Sequence, residues 1–139
     1  MDKSVTSLAT SFTLNGAIVQ VDAKPGERLS HSLRERLDRK DVKIGCNAGD
    51  CGACTVLVDG APVCACLMAT QQASGRKVET LAGLVKADLD AQALMESFQH
   101  HQAAQCGICT PGMMVSAVAL LRAVPQPDDA QVQDALGGV

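Results

Sequence analysis

At 139 residues the chain suits one modest domain or two small ones packed together, and with 47% hydrophobic and 19% charged residues it can build a core. A net charge of −3, no long basic run, no Trp, no Tyr and only Phe12 and Phe98 as aromatics leave out both the electrostatic footprint of a nucleic-acid binder and a base-stacking platform. The most apolar run, residues 113–121, falls short of the roughly 18–20 residues a membrane span needs. The N-terminal "MDKSVTSLATSF" lacks the apolar stretch and twin arginine of an export signal, so a cytoplasmic location is the default.

The first half reads as β-rich. Residues 11–22, "SFTLNGAIVQVD", carry Asn15-Gly16 between two strand-like runs, a strong hairpin signal. In residues 26–37, "GERLSHSLRERL", Leu29, Leu33 and Leu37 fall at i, i+4 and i+8 on one face of a short helix. The run "RERLDRKDVK", 34–43, mixes charge signs and reads as an exposed face. A second hairpin turn is expected at Asp59-Gly60, and Val78 opens a last strand.

The second half reads as helical. Leu81 and Leu84 share a face of a short helix, and 89–101 forms another, with Leu94 and Phe98 four apart. Thr110 is the expected N-cap of the next helix and Pro111 its first residue, with Pro125 and Pro127 ending it. A last helix over 128–136 has acidic residues in its first turn. His100-His101 reads as a solvated helix end, and Met68, Met113 and Met114 as packing residues. The period changes from two to 3.6 near residue 78, which predicts domains at 1–78 and 79–139.

Five of the seven cysteines crowd into "KIGCNAGDCGACTVLVDGAPVCACL", 43–67. Cys46, Cys51 and Cys54 make C-x4-C-x2-C, the plant-type spacing of a 2Fe-2S ferredoxin, which takes a fourth Cys further on. Three ligands in one loop wrap the cluster and a distant one closes the cage. Such a loop bends sharply and brings its backbone close to sulfur, which suits Gly45, Gly49 and Gly52, with Asn47 tolerant of positive φ. Backbone amides there can point at sulfur. Zinc, the main rival, usually takes two short-range C-x2-C knuckles, and a disulfide framework is disfavoured by the missing export signal. The fourth ligand is Cys64 or Cys66. Two apart on a strand, they face the same way, so spacing leaves the choice open.

"QCGICTPGM" adds Cys106 and Cys109 just before the predicted helix, where unpaired amides favour a thiolate. Alone, the pair reads equally as a redox dithiol, half a zinc site or half a cluster site. Four cysteines spent on a first cluster leave three, too few for a second all-Cys cluster.

Together, "GCNAGDCGACTVLVDGAPVCACL" and "QCGICTPGMM" resemble the small iron–sulfur subunit of the xanthine oxidase family of molybdenum hydroxylases, over about residues 11–138. The resemblance implies an α+β chain, with a β-grasp ferredoxin-like 2Fe-2S domain followed by a small four-helix-bundle 2Fe-2S domain. It implies Cys46, Cys51, Cys54 and Cys66 as ligands of the first cluster, with Cys64 a non-ligand. It implies Cys106 and Cys109 as two ligands of the second, and Gln105 as a residue touching molybdopterin. In the family the last two ligands come from a Cys-x-Cys pair just after a stretch like "ALGGV", so the helical domain is expected to be cut short at Val139. The implied role is electron transfer, one electron at a time, from a large molybdopterin-binding catalytic subunit through the helical-domain cluster and then the ferredoxin-type cluster. The acceptor is a medium FAD-binding subunit or a cytochrome. This chain itself would hold no substrate site. The alternative is a stand-alone ferredoxin-like carrier or redox sensor, against which the second C-x2-C stands.

Overall fold

A computed structural model describes residues 6–139. Strand β1 (Leu8–Leu14) pairs antiparallel with β2 (Ala17–Ala23), Leu14 facing Ala17 across the turn. Asn15 and Gly16, at φ 50° and 85°, make the left-handed two-residue turn whose twist matches the strands it joins. Asp59 and Gly60 repeat this geometry, at 50° and 81°, between β3 (Thr55–Val58) and β4 (Ala61–Cys64). Strand β5 (Lys77–Glu79) lies parallel to β1 and antiparallel to β3. The sheet order is β2-β1-β5-β3-β4, the β-grasp arrangement. Val78 sits mid-strand in β5 rather than opening it.

The leucine-spaced segment is less regular than its period predicts. Helix α1 spans only Leu29–His31 and passes into a π-turn over Ser32–Arg36, where the Leu37 amide donates to the Ser32 carbonyl at 3.0 Å. The Ser32 hydroxyl is tied sideways to Glu27 Oε2 (2.8 Å) and Thr70 Oγ1 (2.7 Å). Leu29 and Leu33 are nonetheless fully buried, with Phe12, Leu14, Val56, Val58 and Val78.

Four helices follow: α2 (Leu81–Ala87), α3 (Leu89–His100), α4 (Thr110–Ala123) and α5 (Asp129–Leu136). Alternation along β3 makes it the partition between two cores. Val56 and Val58 face α1, whereas Leu57 packs into Leu81, Leu84, Met114, Val115 and Val118 of the helices. Hydrogen bonds stitch the seam: Thr80 N–H donates to Asn15 Oδ1 (2.8 Å), Asn15 Nδ2 to Thr80 Oγ1 (3.0 Å), and Ala82 N–H to Asp41 Oδ2 (2.8 Å). Arg122 of α4 donates to Asp88 Oδ2 (2.9 Å) and to Glu79 Oε1 (3.4 Å).

The segment 34–43 is not wholly a solvated face. Val42 is buried, Arg34 donates to its carbonyl at 2.8 Å, and Arg36 grips Glu27 with two bonds of 2.7 and 2.8 Å. Thr110 does not cap α4. Cys109 occupies the N-cap position, and the Thr110 hydroxyl is buried without a partner. Pro111 is the second helical residue rather than the first, still within the first turn, and Asp128 caps α5 through the Gln131 amide (2.8 Å).

Candidate metal centre

The loop between the π-turn and β3 folds back on its own sulfurs. Asn47 at φ 56°, Gly49 at 81° and Gly52 at 67° make the reversals. Gly45 has an ordinary φ and answers a different need, since a Cβ there would lie 2.7 Å from Cys51 Sγ. Once reversed, the backbone turns its amides inward. Ala48, Asp50 and Cys51 N–H donate to Cys46 Sγ at 3.3, 3.2 and 3.3 Å. Cys46 and Ala53 N–H donate to Cys51 Sγ at 3.3 and 3.4 Å. The Cys66 amide donates to Cys54 Sγ at 3.3 Å.

The sulfurs therefore fall into two pairs, Cys46 with Cys51 on the loop and Cys54 with Cys66 at the sheet end. Among the described residues, no three His, Cys, Asp or Glu side chains are grouped to hold a single metal ion. A two-iron cluster takes two thiolates on each iron, which the two pairs match. Amides aimed at sulfur suit an anionic ligand set. On both counts the residues present fit a 2Fe-2S cluster.

The electrostatics divide along the same line. Cys46 is exposed, and the amides of Cys51, Ala48 and Asp50 bring its thiol down to about 7. Cys54 is 3% exposed, and burial pushes its thiol up to about 12. Burial also raises Cys64, which is half-buried.

Cys64 and Cys66 do not share a strand face. Strand β4 ends at Cys64, and Cys66 lies in the 3-10 turn Ala65–Leu67, which turns its amide to Cys54. Cys106, Cys109 and Gln105 sit, exposed, on the loop between α3 and α4, with Gly107 at φ 84°. They are not brought to the first four sulfurs by any hydrogen bond found among the described residues. The ligand loop touches the helical half nonetheless. A Cβ on Gly112 would come within 2.3 Å of the Gly52 carbonyl oxygen, and one on Gly52 within 2.5 Å of the Gly138 carbonyl. His100 and His101 are exposed, their rings edge-on with centroids 4.9 Å apart.

Sequence reasoning missed Arg28. Its Nη1 donates to the Asn47 carbonyl at 2.6 Å and the Cys66 carbonyl at 2.9 Å. A lone arginine at a helix entry carries no motif, so nothing in the spacing pointed to it.

Two family models match the chain: a 2Fe-2S iron–sulfur cluster binding domain over residues 12–88, and a 2Fe-2S binding domain over residues 80–139. The nicotinate dehydrogenase small FeS subunit of Eubacterium barkeri is 38% identical over 134 residues, 96% of this chain and 85% of that protein. The xanthine dehydrogenase iron-sulfur-binding subunit of Escherichia coli O157:H7 is 41% identical over 115 residues, 83% of this chain and 71% of that protein. The crystal structure of quinoline 2-oxidoreductase from Pseudomonas putida 86 superposes with a TM-score of 0.89 at 39% identity, covering 96% of this chain and 82% of that one.

Proposed function

The chain belongs to the iron–sulfur small subunits of the molybdenum hydroxylases, and from that premise we propose that Cys46, Cys51, Cys54 and Cys66 hold its ferredoxin-type cluster while Cys106 and Cys109 supply two ligands of the second. Its role is electron transfer within a multi-subunit oxidoreductase that has a catalytic partner, and it carries two 2Fe-2S-binding domains. A 2Fe-2S cluster, when bound, exchanges a single electron at a potential set by charge, burial and hydrogen bonds to sulfur.

The observation that carries the ligand assignment is the two-and-two pairing of sulfurs under six inward amide bonds. The amides aimed at Cys46, Cys51 and Cys54 Sγ place hydrogen-bond donors where a cluster's anionic sulfur would need them. Gly45 leaves room for the Cys51 sulfur, and Gly49 and Gly52 reverse the chain around it. Burial of Cys54 and Cys66, at 3% and 4% exposure, excludes water from one side of the site, while exposed Cys46 leaves the other side open to an acceptor. That acceptor is a medium FAD-binding subunit or a cytochrome. Gln105, exposed beside Cys106, reaches the molybdopterin of a large catalytic subunit. We place the domain boundary after Val78, inside β5 and just ahead of α2, and the assembly in the cytoplasm.

The test is Cys51→Ser in the assembled complex. Wild-type protein should be red-brown with about four irons per chain. The variant should lose the ferredoxin-type paramagnetic signal and the exit of electrons, and keep the helical-domain signal. A colourless wild-type complex, or both signals at full strength in the variant, would overturn the assignment.

A further inference from the structure

Arg28 touches no sulfur, yet it sits across the two pairs. One nitrogen, Nη1, donates both to the Asn47 carbonyl (2.6 Å) and to the Cys66 carbonyl (2.9 Å), so the loop bearing Cys46 and the turn bearing Cys66 share a cationic donor. The backbone around Arg28 is itself pinned to that turn's continuation. Arg28 bridges Ala69, the Leu29 amide donates to the Met68 carbonyl at 2.7 Å, and the Thr70 amide donates to the Glu27 carbonyl at 2.8 Å.

The Asn47 carbonyl belongs to the peptide unit whose other end is the Ala48 N–H. In a trans peptide these point in opposite directions. The Ala48 N–H donates to Cys46 Sγ at 3.3 Å. A continuous chain thus runs from guanidinium to carbonyl, through the amide, to sulfur. Hydrogen bonds in series polarise one another, and those with a charged donor are the stronger kind. The peptide is also held from a costly direction, since Asn47 sits at φ 56°. Without a donor on its carbonyl, this unit has less reason to keep its N–H on sulfur.

Resting on the ligand assignment above, we propose that Arg28 is a positioning residue for electron transfer: through the Asn47–Ala48 peptide it fixes and strengthens the amide bond to Cys46 Sγ, and so raises the reduction potential of the ferredoxin-type cluster. The positive charge acts in the same sense, because the added electron is stabilised by hydrogen bonds to sulfur and by nearby cations. Arg is suited to it and Lys less so, because Nη1 offers the two carbonyls N–H groups fixed in a rigid guanidinium plane, whereas an ammonium's donors turn freely at the end of a flexible stem.

The experiment is a redox titration of the assembled complex followed by the paramagnetic signal of each cluster, with iron measured per chain, for wild type, Arg28→Met and Arg28→Lys. The methionine variant should make reduction of the ferredoxin-type cluster about tenfold less favourable, about 59 mV more negative for one electron, with the helical-domain potential unmoved. Lysine should recover part of that shift. An unchanged ferredoxin-type potential in both variants overturns the proposal, as does an equal shift of both clusters, which would mark general loosening. If the methionine variant loses its iron, the lysine variant decides: a negative shift confined to the ferredoxin-type cluster supports the relay, and a wild-type potential refutes it. A wild-type complex lacking the ferredoxin-type signal would instead refute the ligand assignment beneath it.

Discussion

One glycine of the ligand loop is fixed by space rather than by backbone rotation. Gly45 lies where a methyl group would press on Cys51 Sγ at 2.7 Å, and that sulfur is held in place by two amides. Gly45→Ala should therefore displace the sulfur rather than unfold the chain. The expected outcome is about two irons per chain instead of about four, with the circular dichroism of the fold retained. Iron content near the wild-type value would show that the loop absorbs the methyl. The glycine richness of this loop was legible in the sequence, as was the C-x4-C-x2-C spacing. Spacing alone left Cys64 and Cys66 open, because how the two sulfurs face depends on where β4 stops. Counting alternation past Cys64 keeps both sulfurs on one face, whereas the chain leaves the strand there and enters a 3-10 turn.

Asp88 shows how single side chains join whole elements. It caps α3 by accepting from the Asp90 and Ala91 amides at 2.8 and 3.2 Å, and it accepts from Arg122 of α4 at 2.9 Å. Burial works against its charge, but the Arg122 hydrogen bond and the two amides outweigh it, so its carboxyl lies below the ordinary 3.8. A carboxylate depressed on folding stabilises above its unfolded value and loses that contribution as pH falls through the folded one. Asp88→Asn keeps a good cap and removes the ion pair. With Arg122 part-exposed, its cost should be about 1 kcal/mol at neutral pH. In denaturant titrations the gap from wild type should close as pH drops below 3.8. A gap that is constant with pH would assign the effect to the cap alone. Elements with strong local signals were readable in advance: both Xaa-Gly hairpins, the helices of the second half, and Asp128 at the start of α5. The π-turn after Leu29–His31 was not, because the leucine spacing suits either helix type and Ser32 is tied to Thr70, in a segment 38 residues away. Thr110 was misread for a related reason. Its type and its place before Pro111 suit a cap, but the helix begins one residue earlier and leaves its hydroxyl buried.

At the scale of the molecule, α4 meets the ligand loop through backbone. Gly112, in its first turn, faces the Gly52 carbonyl so closely that a Cβ would come within 2.3 Å of it. Gly112→Ala should force the helix and the loop apart, costing roughly 1–3 kcal/mol as overpacking does. That is a fall of about 3–10 °C in the midpoint of thermal unfolding for a chain of this size. The transition should stay single, because β3 serves both cores. Two separate transitions would show that the halves unfold independently. This contact was invisible to sequence patterns, which register a glycine near a helix start without saying what approaches it.

The shared strand also bears on how such chains can be recombined. Val56 and Val58 look one way and Leu57 the other, so a splice placed at the period change near residue 78 transplants a surface cut to fit somebody else's neighbour. A hybrid made from two parents should assemble only when Leu57 and Gly52 travel with the helices that lie on them, which makes the crossover that respects the packing different from the one that respects the reading frame of the domains.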